Sequence, residues 1–295
     1  MKIKESVGRR VFNICNVIIM LILIVITLYP LLYVVFASLS TSSGLMKSSG
    51  ILLKPAGFSW NAYKAVFKNP NIMRGYKNTL IILIGGTAVN MLLTALGAYF
   101  FSRKDIKFKN AIMVFIIFTM FFSGGMIPTY LVVKGLGLLD TYWALILPTG
   151  ISTYNMIIMR TGFAAIPDSL EESARIDGAS RLKILFMIII PLAKPTLAVI
   201  LLYYAVGHWN SWFNAMIYLQ KRRDLQPLQL ILRGILIEND TNSMTVGGGQ
   251  ATDTEGIAET VKYAVIVVAT LPILAIYPFL QKYFVKGIMI GAIKG

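Results

Sequence analysis

Charge is scarce in this sequence. Only 14% of its 295 residues are Asp, Glu, Lys or Arg, where a soluble domain carries about 25%. Cysteine and histidine each occur once, as Cys15 and His208. A disulfide framework and a Cys/His metal cluster are both excluded. No Gly-rich loop ends in Gly-Lys-Ser/Thr, and Gly247–Gly249 lacks the lysine such a loop needs. The chain is therefore not expected to hydrolyse ATP. His208 has no Ser or Cys nucleophile pattern beside it and reads as an interfacial belt residue next to Trp209. Acids are scarcer than bases, 13 against 28. The cations flank apolar runs rather than forming a polar domain, which points to lipid head groups and not to nucleic acid.

What is present is apolar length. Hydrophobic residues make up 56% of the chain and gather in six runs: Val11–Ser38, Thr79–Phe101, Ala111–Val133, Tyr142–Met159, Ile184–Val206 and Val261–Leu280. Each is long enough to cross a hydrocarbon core as a helix, about 20 residues. Barrel strands would be half as long and alternate in polarity. The runs contain no Asp or Glu, and their only cations are Lys194 and Lys262. A proton relay has no carrier there, which argues against a secondary carrier. The first run exceeds the 7–15 apolar residues of a cleavable signal peptide and is expected to be retained. The expected fold is all-α: a polytopic protein of six transmembrane helices, one transmembrane domain over 1–295. The positive-charge bias, though weak, places both termini on the cytoplasmic side.

Two loops stand out. Residues 208–260 form a long extracytoplasmic connection whose centre, Asn239–Gly256, is polar and glycine-rich. Residues 160–183 form a cytoplasmic connection with structure of its own. Ser169 and Glu172 read as a capping box, Glu171 and Arg175 are spaced as a helical ion pair, and Gly178 suits a left-handed C-cap. Ser180 can then start a second helix running into the fifth span through Pro191 and Pro195. Leu170, Ser173 and Ala174 give the first helix a small, apolar face. By pattern alone that face either caps the bundle or enters a partner's groove.

Glu172-Ser173-Ala174, three residues, Gly178, nine residues, Ile188, one residue, Ile190-Pro191 resembles the cytoplasmic signature of ABC importer membrane subunits. Ser173 and Ile190 stand where that pattern has Ala and Leu. The flanks Ile166–Leu170 and Ile176–Ser180 are similar to the carbohydrate branch. The segments Phe122–Tyr130, Gly207–Phe213, Gln226–Gln229 and the tail Gln281–Gly295 resemble a subgroup handling complex or uronate-bearing oligosaccharides, of alginate or aldouronate type. The resemblance implies a type I importer permease in the bacterial cytoplasmic membrane. It pairs with a second permease subunit, a dimer of ATPase subunits and an extracytoplasmic solute-binding protein. ATP and magnesium would be bound by the ATPase subunits, with no cofactor in this chain. ATPase coupling would fall on Glu171, Glu172, Ser173, Ala174, Asp177, Gly178 and Ala179. The loop 238–256 would reach the binding protein, and 286–295 the ATPase. A permease for another polar solute is the alternative, with a secondary carrier behind it.

Sugars are held by aromatic faces and by amide or hydroxyl hydrogen bonds. Candidates for an oligosaccharide path are Tyr130, Tyr154, Asn155, Tyr204, Trp209, Asn210, Trp212 and Asn214, with Tyr203 beside them. The first outer loop adds Lys47, Lys54, Lys64, Lys68, Arg74 and Lys77 with no acid, a set that either meets lipid and solvent or attracts an acidic ligand. In the second case, replacing Lys64, Lys68 and Lys77 by Gln lowers uptake of a uronate oligosaccharide at low ionic strength. Unchanged uptake there assigns the charges to lipid or solvent.

Overall fold

The computed structural model describes residues 6–48, 50–237 and 259–275. All regular structure among them is helical, apart from one isolated bridge between Ser40 and Phe58. The chain divides into two compact units, 1–70 with 234–271, and 71–233 with 272–295.

In the first unit, α1 (Val7–Ser38) is capped by Ser6, whose hydroxyl accepts from the Arg9 amide at 3.4 Å. Its apolar side chains lie open on the surface along most of its length, as a lipid-facing helix requires. Pro30 sits inside it, which neighbouring groups make tolerable in a membrane helix. The basic outer loop that follows is folded tightly. Ser40 donates to the Phe36 carbonyl at 2.7 Å and accepts from the Ala56 amide at 2.9 Å. Thr41 caps α2 (Ser42–Lys47). Gly44 lies so close to the Ala56 carbonyl that a Cβ would stand 2.0 Å from its oxygen. Leu45 and Leu52 bury against Ala37, Tyr33 and Tyr263, the last on a helix over 259–275. After Trp60 comes α3 (Asn61–Lys68), and the cations of this loop, from Lys47 to Lys68, are exposed.

The second unit is organised by α4 (Pro70–Ser102), 33 residues long and unbroken. Its inner face repeats every four residues: Asn78, Ile82, Gly86, Asn90, Thr94, Ala98 and Ser102 are all buried. Small and hydrogen-bonding residues at that spacing let neighbouring backbones approach and give them polar partners. Around it run α5 (Lys109–Phe121), α6 (Met126–Gly135), α7 (Trp143–Ile146), α8 (Thr153–Ala164) and α9 (Asp168–Ile176). Next come α10 (Arg181–Ile184), a π-helical turn Leu185–Ile189, α11 (Ile190–Leu192), α12 (Lys194–Trp209) and α13 (Phe213–Tyr218). The last, α14 (Leu228–Ile237), starts against α4, where Thr79 Oγ1 accepts from the Leu228 amide at 2.9 Å. The main core gathers Ala98, Tyr99, Met159, Phe163, Ile184, Leu185 and Ile200.

Helices Val7–Ser38 and Pro70–Ser102 are each long and apolar enough to cross a membrane. Three of the expected spans are not continuous helices. Ala111–Val133 breaks after Phe121, and α5 and α6 meet at 111°. Gly125 there takes φ +85°, a conformation open to glycine. Tyr142–Met159 breaks at Pro148 to Gly150. Ile184–Val206 bends by 90° between Leu192 and Lys194, where Pro195 has no amide hydrogen to extend the preceding turn. The expected loop 208–260 also begins as folded structure, with α13 and α14 before residue 238. The rest of the sixth run past residue 275, the loop 238–256 and the tail 286–295 lie outside the described residues.

Gly44→Ala should open the outer loop, because the carbonyl it meets is backbone and has little room to retreat. We expect a loss of about 1–3 kcal/mol or more and faster proteolysis between Thr41 and Trp60, read by limited digestion beside the unchanged chain.

Candidate functional site

Breaking a helix at membrane depth strands backbone groups that lipid cannot satisfy. At the α7–α8 break the partners come from side chains of α4 and α12. Asn90 Nδ2 donates to the Thr149 carbonyl at 2.6 Å and to the Gly150 carbonyl at 2.9 Å. The Tyr204 hydroxyl accepts from the Ser152 amide at 2.9 Å and lies 2.7 Å from Thr94 Oγ1. With its amide nitrogen committed, Asn90 presents Oδ1 to His208 Nε2 at 2.6 Å. That assigns the ring's proton to Nε2, since a carbonyl oxygen only accepts. Gly86 makes room, for a Cβ there would stand 2.5 Å from Nε2. His208 is thus a buried member of the scaffold and not the belt residue its sequence position indicates. The apolar run hides it because its partner lies 118 residues away.

Beside this network is a cavity of about 510 Å³. Its lining includes Asn90, Thr149, Ser152, Asn155, Tyr203, Tyr204, His208, Asn210, Ser211, Trp212 and Asn214, with no Lys, Arg, Asp or Glu among the described residues. Of the path candidates, Asn155, Tyr204, Asn210, Trp212 and Asn214 line it. Tyr130, Tyr154 and Trp209 do not. Tyr130 stacks on Tyr218 at 6.3 Å, and Tyr154 is 54% exposed with its ring 6.5 Å from that of Tyr203. Trp209 is buried against Tyr76, its indole N–H without an acceptor among the described residues. Asn90, His208, Thr149, Ser152 and Ser211 are the lining residues that sequence reasoning passed over. The four-residue recurrence of small and polar residues in α4 is the signal that points to the first of them.

The second candidate is the loop 160–183, which the sequence places on the cytoplasmic side. The helix there is α9, but it starts one residue before the expected cap: Pro167 is the N-cap residue and no side chain caps it. Ser169 lies within the first turn, and the expected capping box does not form. Proline fixes the entry geometry, and Asp168 and Glu171 place negative charge in the first turn. The C-terminus is a Schellman motif. Gly178 takes φ +77°, the Gly178 amide donates to the Arg175 carbonyl at 3.0 Å, and the Ala179 amide to the Ala174 carbonyl at 2.9 Å. Ser180 then caps α10 through the Lys183 amide at 3.3 Å. Asp177 is the C-cap residue of α9.

The faces of α9 divide differently from the expected grouping. Leu170, Glu172, Ser173, Ile176 and Asp177 are exposed, whereas Ala174 and Ala179 pack against the main core. Glu171 is 5% exposed. Its carboxylate takes Arg103, the Tyr99 hydroxyl at 3.2 Å and Arg175 at 2.7 Å. The next residues of the α4–α5 connection extend the grip. Lys104 pairs with Asp168 at 2.6 Å, and Asp105 accepts from Arg175 at 3.2 Å and Arg181 at 2.8 Å. Lys104 holds the Asp168 carboxyl below the usual range. Partial burial pushes Asp105 upward, but Arg175 and Arg181 outweigh it and its pKa is also lowered.

Asn90→Ala strands two carbonyls and removes the His208 partner at once. Each stranded group costs about 1–3 kcal/mol, so the melting temperature in detergent should fall clearly. Exposed Leu80→Ala, measured beside it, should move stability by about 0.5 kcal/mol or less.

Residues 94–290 match the family described as binding-protein-dependent transport system inner membrane component. Protein LplC of Bacillus subtilis (strain 168) is 44% identical over 97% of this chain and 96% of its own length. The polygalacturonan/rhamnogalacturonan transport system permease protein YtcP of the same organism is 43% identical over 97% of this chain and 99% of its own. Among solved structures, a bacterial ABC transporter involved in the import of the acidic polysaccharide alginate is similar, with TM-score 0.87 and 32% identity. The match covers 96% of this chain and 100% of that one. The polar cavity between broken helices and the Schellman-capped helix α9 thus sit in a chain that belongs to the binding-protein-dependent transport system inner membrane component family, as a non-enzymatic ABC transporter permease of the inner membrane.

Proposed function

We propose that this chain is the permease subunit of an ATP-driven importer of oligosaccharides. With a second permease it encloses the translocation path, and a solute-binding protein delivers substrate from outside. In this reading the six apolar runs are six spans, three of them interrupted, with both termini cytoplasmic. The relatives named for polygalacturonan and rhamnogalacturonan and for alginate support a substrate rich in uronate sugars. The cavity's amides, hydroxyls and tryptophan are the groups that hold sugar hydroxyls and sugar faces.

The observation that carries the reading is the division of α9. One side is fixed to the membrane-spanning unit, while Leu170, Glu172, Ser173 and Ile176 are left bare on the other, Ile176 at 87% exposure. A helix pinned on one side and open on the other receives a partner's groove. The partner in this reading is the ATPase dimer, and Glu172 supplies the polar contact at the centre of that face.

Two measurements test it in proteoliposomes holding both permeases, the ATPase and the binding protein. Glu172→Ala should release the ATPase subunits or uncouple them, and uptake of labelled oligogalacturonate should fall by about tenfold or more. Uptake that persists without any ATPase subunit overturns the assignment. Separately, Trp212→Ala should lower uptake while leaving ATPase association unchanged, because that ring faces the cavity and not α9.

A further inference from the structure

We infer that Arg103, at the cytoplasmic end of α4, is the positioning residue through which movement of α9 reaches the cavity. The inference rests on the proposal that α9 receives the ATPase. It assigns the onward step to a residue outside the signature loop.

Arg103 and Glu171 are each 5% exposed and form an ion pair. Every side of the guanidinium is occupied. It donates to Ser102 Oγ at 3.0 Å and to the Phe163 carbonyl at 3.4 Å, and it lies 5.0 Å from the Tyr99 ring centroid. Lys109 donates to the Arg103 carbonyl. Glu171 is held equally fully by Arg103, Arg175 and Tyr99. The flanking pairs, Lys104 with Asp168 and Asp105 with Arg175 and Arg181, are largely exposed, and such pairs contribute little by themselves. They do fix direction: consecutive residues 103–105 grip the start of α9, its middle and the start of α10. A desolvated, fully hydrogen-bonded pair has one geometry and resists sliding, which is the use best attested for buried ion pairs.

The load has a path. Helix α4 is unbroken from Pro70 to Ser102. Thr94 and Asn90 lie nine and thirteen residues before Arg103, about 14 Å and 20 Å along the axis by helical rise. Asn90 holds the carbonyls of the α7–α8 break, and Thr94 holds Tyr204 in the cavity lining. Displacing Glu171 therefore pulls on Arg103, and Arg103 pulls on the helix whose inner face sets the shape of the cavity.

The test uses the complete reconstituted complex and three readouts: ATPase subunit retained on purification, ATP hydrolysed, and oligogalacturonate taken up per ATP. Arg103→Ala should retain the ATPase and keep hydrolysis within about twofold, while uptake per ATP falls about tenfold. Arg103→Lys keeps the charge but loses the planar fork and should fall between. The paired substitution Arg103→Met with Glu171→Leu removes the charges without stranding either, so it should stay folded and still lose uptake per ATP. Unchanged uptake per ATP in that pair overturns the inference. Loss of the ATPase subunit from Arg103→Ala and from the apolar pair also overturns it, by reducing Arg103 to a prop for the docking face. Glu172→Ala run alongside separates the two ideas. If Glu172→Ala uncouples and the apolar pair does not, only the role of Arg103 fails; if Glu172→Ala changes nothing, the docking reading beneath it fails.

Discussion

A backbone carbonyl that loses its helical partner inside a membrane must find another within the protein, because lipid offers none. The cavity of this permease depends on that constraint being met at one place. Opening a helix at Pro148 to Gly150 bares the carbonyls of Thr149 and Gly150 and the amide of Ser152, and Asn90 and Tyr204 take all three. With Asn90 in place the chain acquires an irregular, hydrogen-bonded wall at the break. The same amide then orients His208. One side chain on a straight helix thus supports a non-helical segment and a buried imidazole together. Asn78 acts similarly one end away, donating to the carbonyls of Asp224 and Gln226 and accepting from Tyr142. The long α4 is the straight member against which the others are allowed to bend.

The sequence makes some of this legible. Apolar run length marks the helices Val7–Ser38 and Pro70–Ser102, which are long and apolar enough to cross a membrane, because the hydrocarbon core demands that length. It does not disclose the interruptions, since proline and glycine are tolerated in membrane helices and signal a break only when partners for the freed groups exist. Gly124-Gly125 and Pro195 were visible, but the partners of a break sit on other helices. Asn155, Tyr204, Asn210, Trp212 and Asn214 line the cavity. Trp209, of the same chemistry, turns away to Tyr76, because neighbours on a helix point in different directions. The Schellman end of α9 and the Ser180 cap are local and were readable. The start of α9 was misread because Pro167 sets it before Ser169 can. Arg103 was unreadable as a partner of Glu171, the two being 68 residues apart.

Charge around α9 follows a different logic from charge in the first connecting loop. The cations of the first outer loop, Lys47 to Lys68, stand in the open. Those around α9 are matched by Asp105, Asp168 and Glu171. The acids are few, and these three are committed to one helix. Arg175 and Arg181 hold the Asp105 carboxyl, and Lys104 the Asp168 carboxyl, below the usual carboxylate range. A buried pair adds little net stability over an apolar equivalent, yet removing one partner is costly. Such a device suits an element that must keep its register while being pushed.

The cavity carries the opposite design. Among the described residues no Asp, Glu, Lys or Arg lines it, although a similar solved structure is an ABC transporter involved in the import of the acidic polysaccharide alginate. A fixed cation against a uronate in a low-dielectric wall would form a deep trap. A path must bind well enough to admit its cargo and weakly enough to release it. Amides, hydroxyls and an aromatic face meet that requirement: each contact with a sugar exchanges for one with water at small net change. In the proposed importer, the negative charges of a uronate substrate would be left to hydration or to other parts of the complex. Recognition of charge in that importer would belong to the surfaces where substrate is captured, and the described wall of this cavity would meet sugar hydroxyls and ring faces.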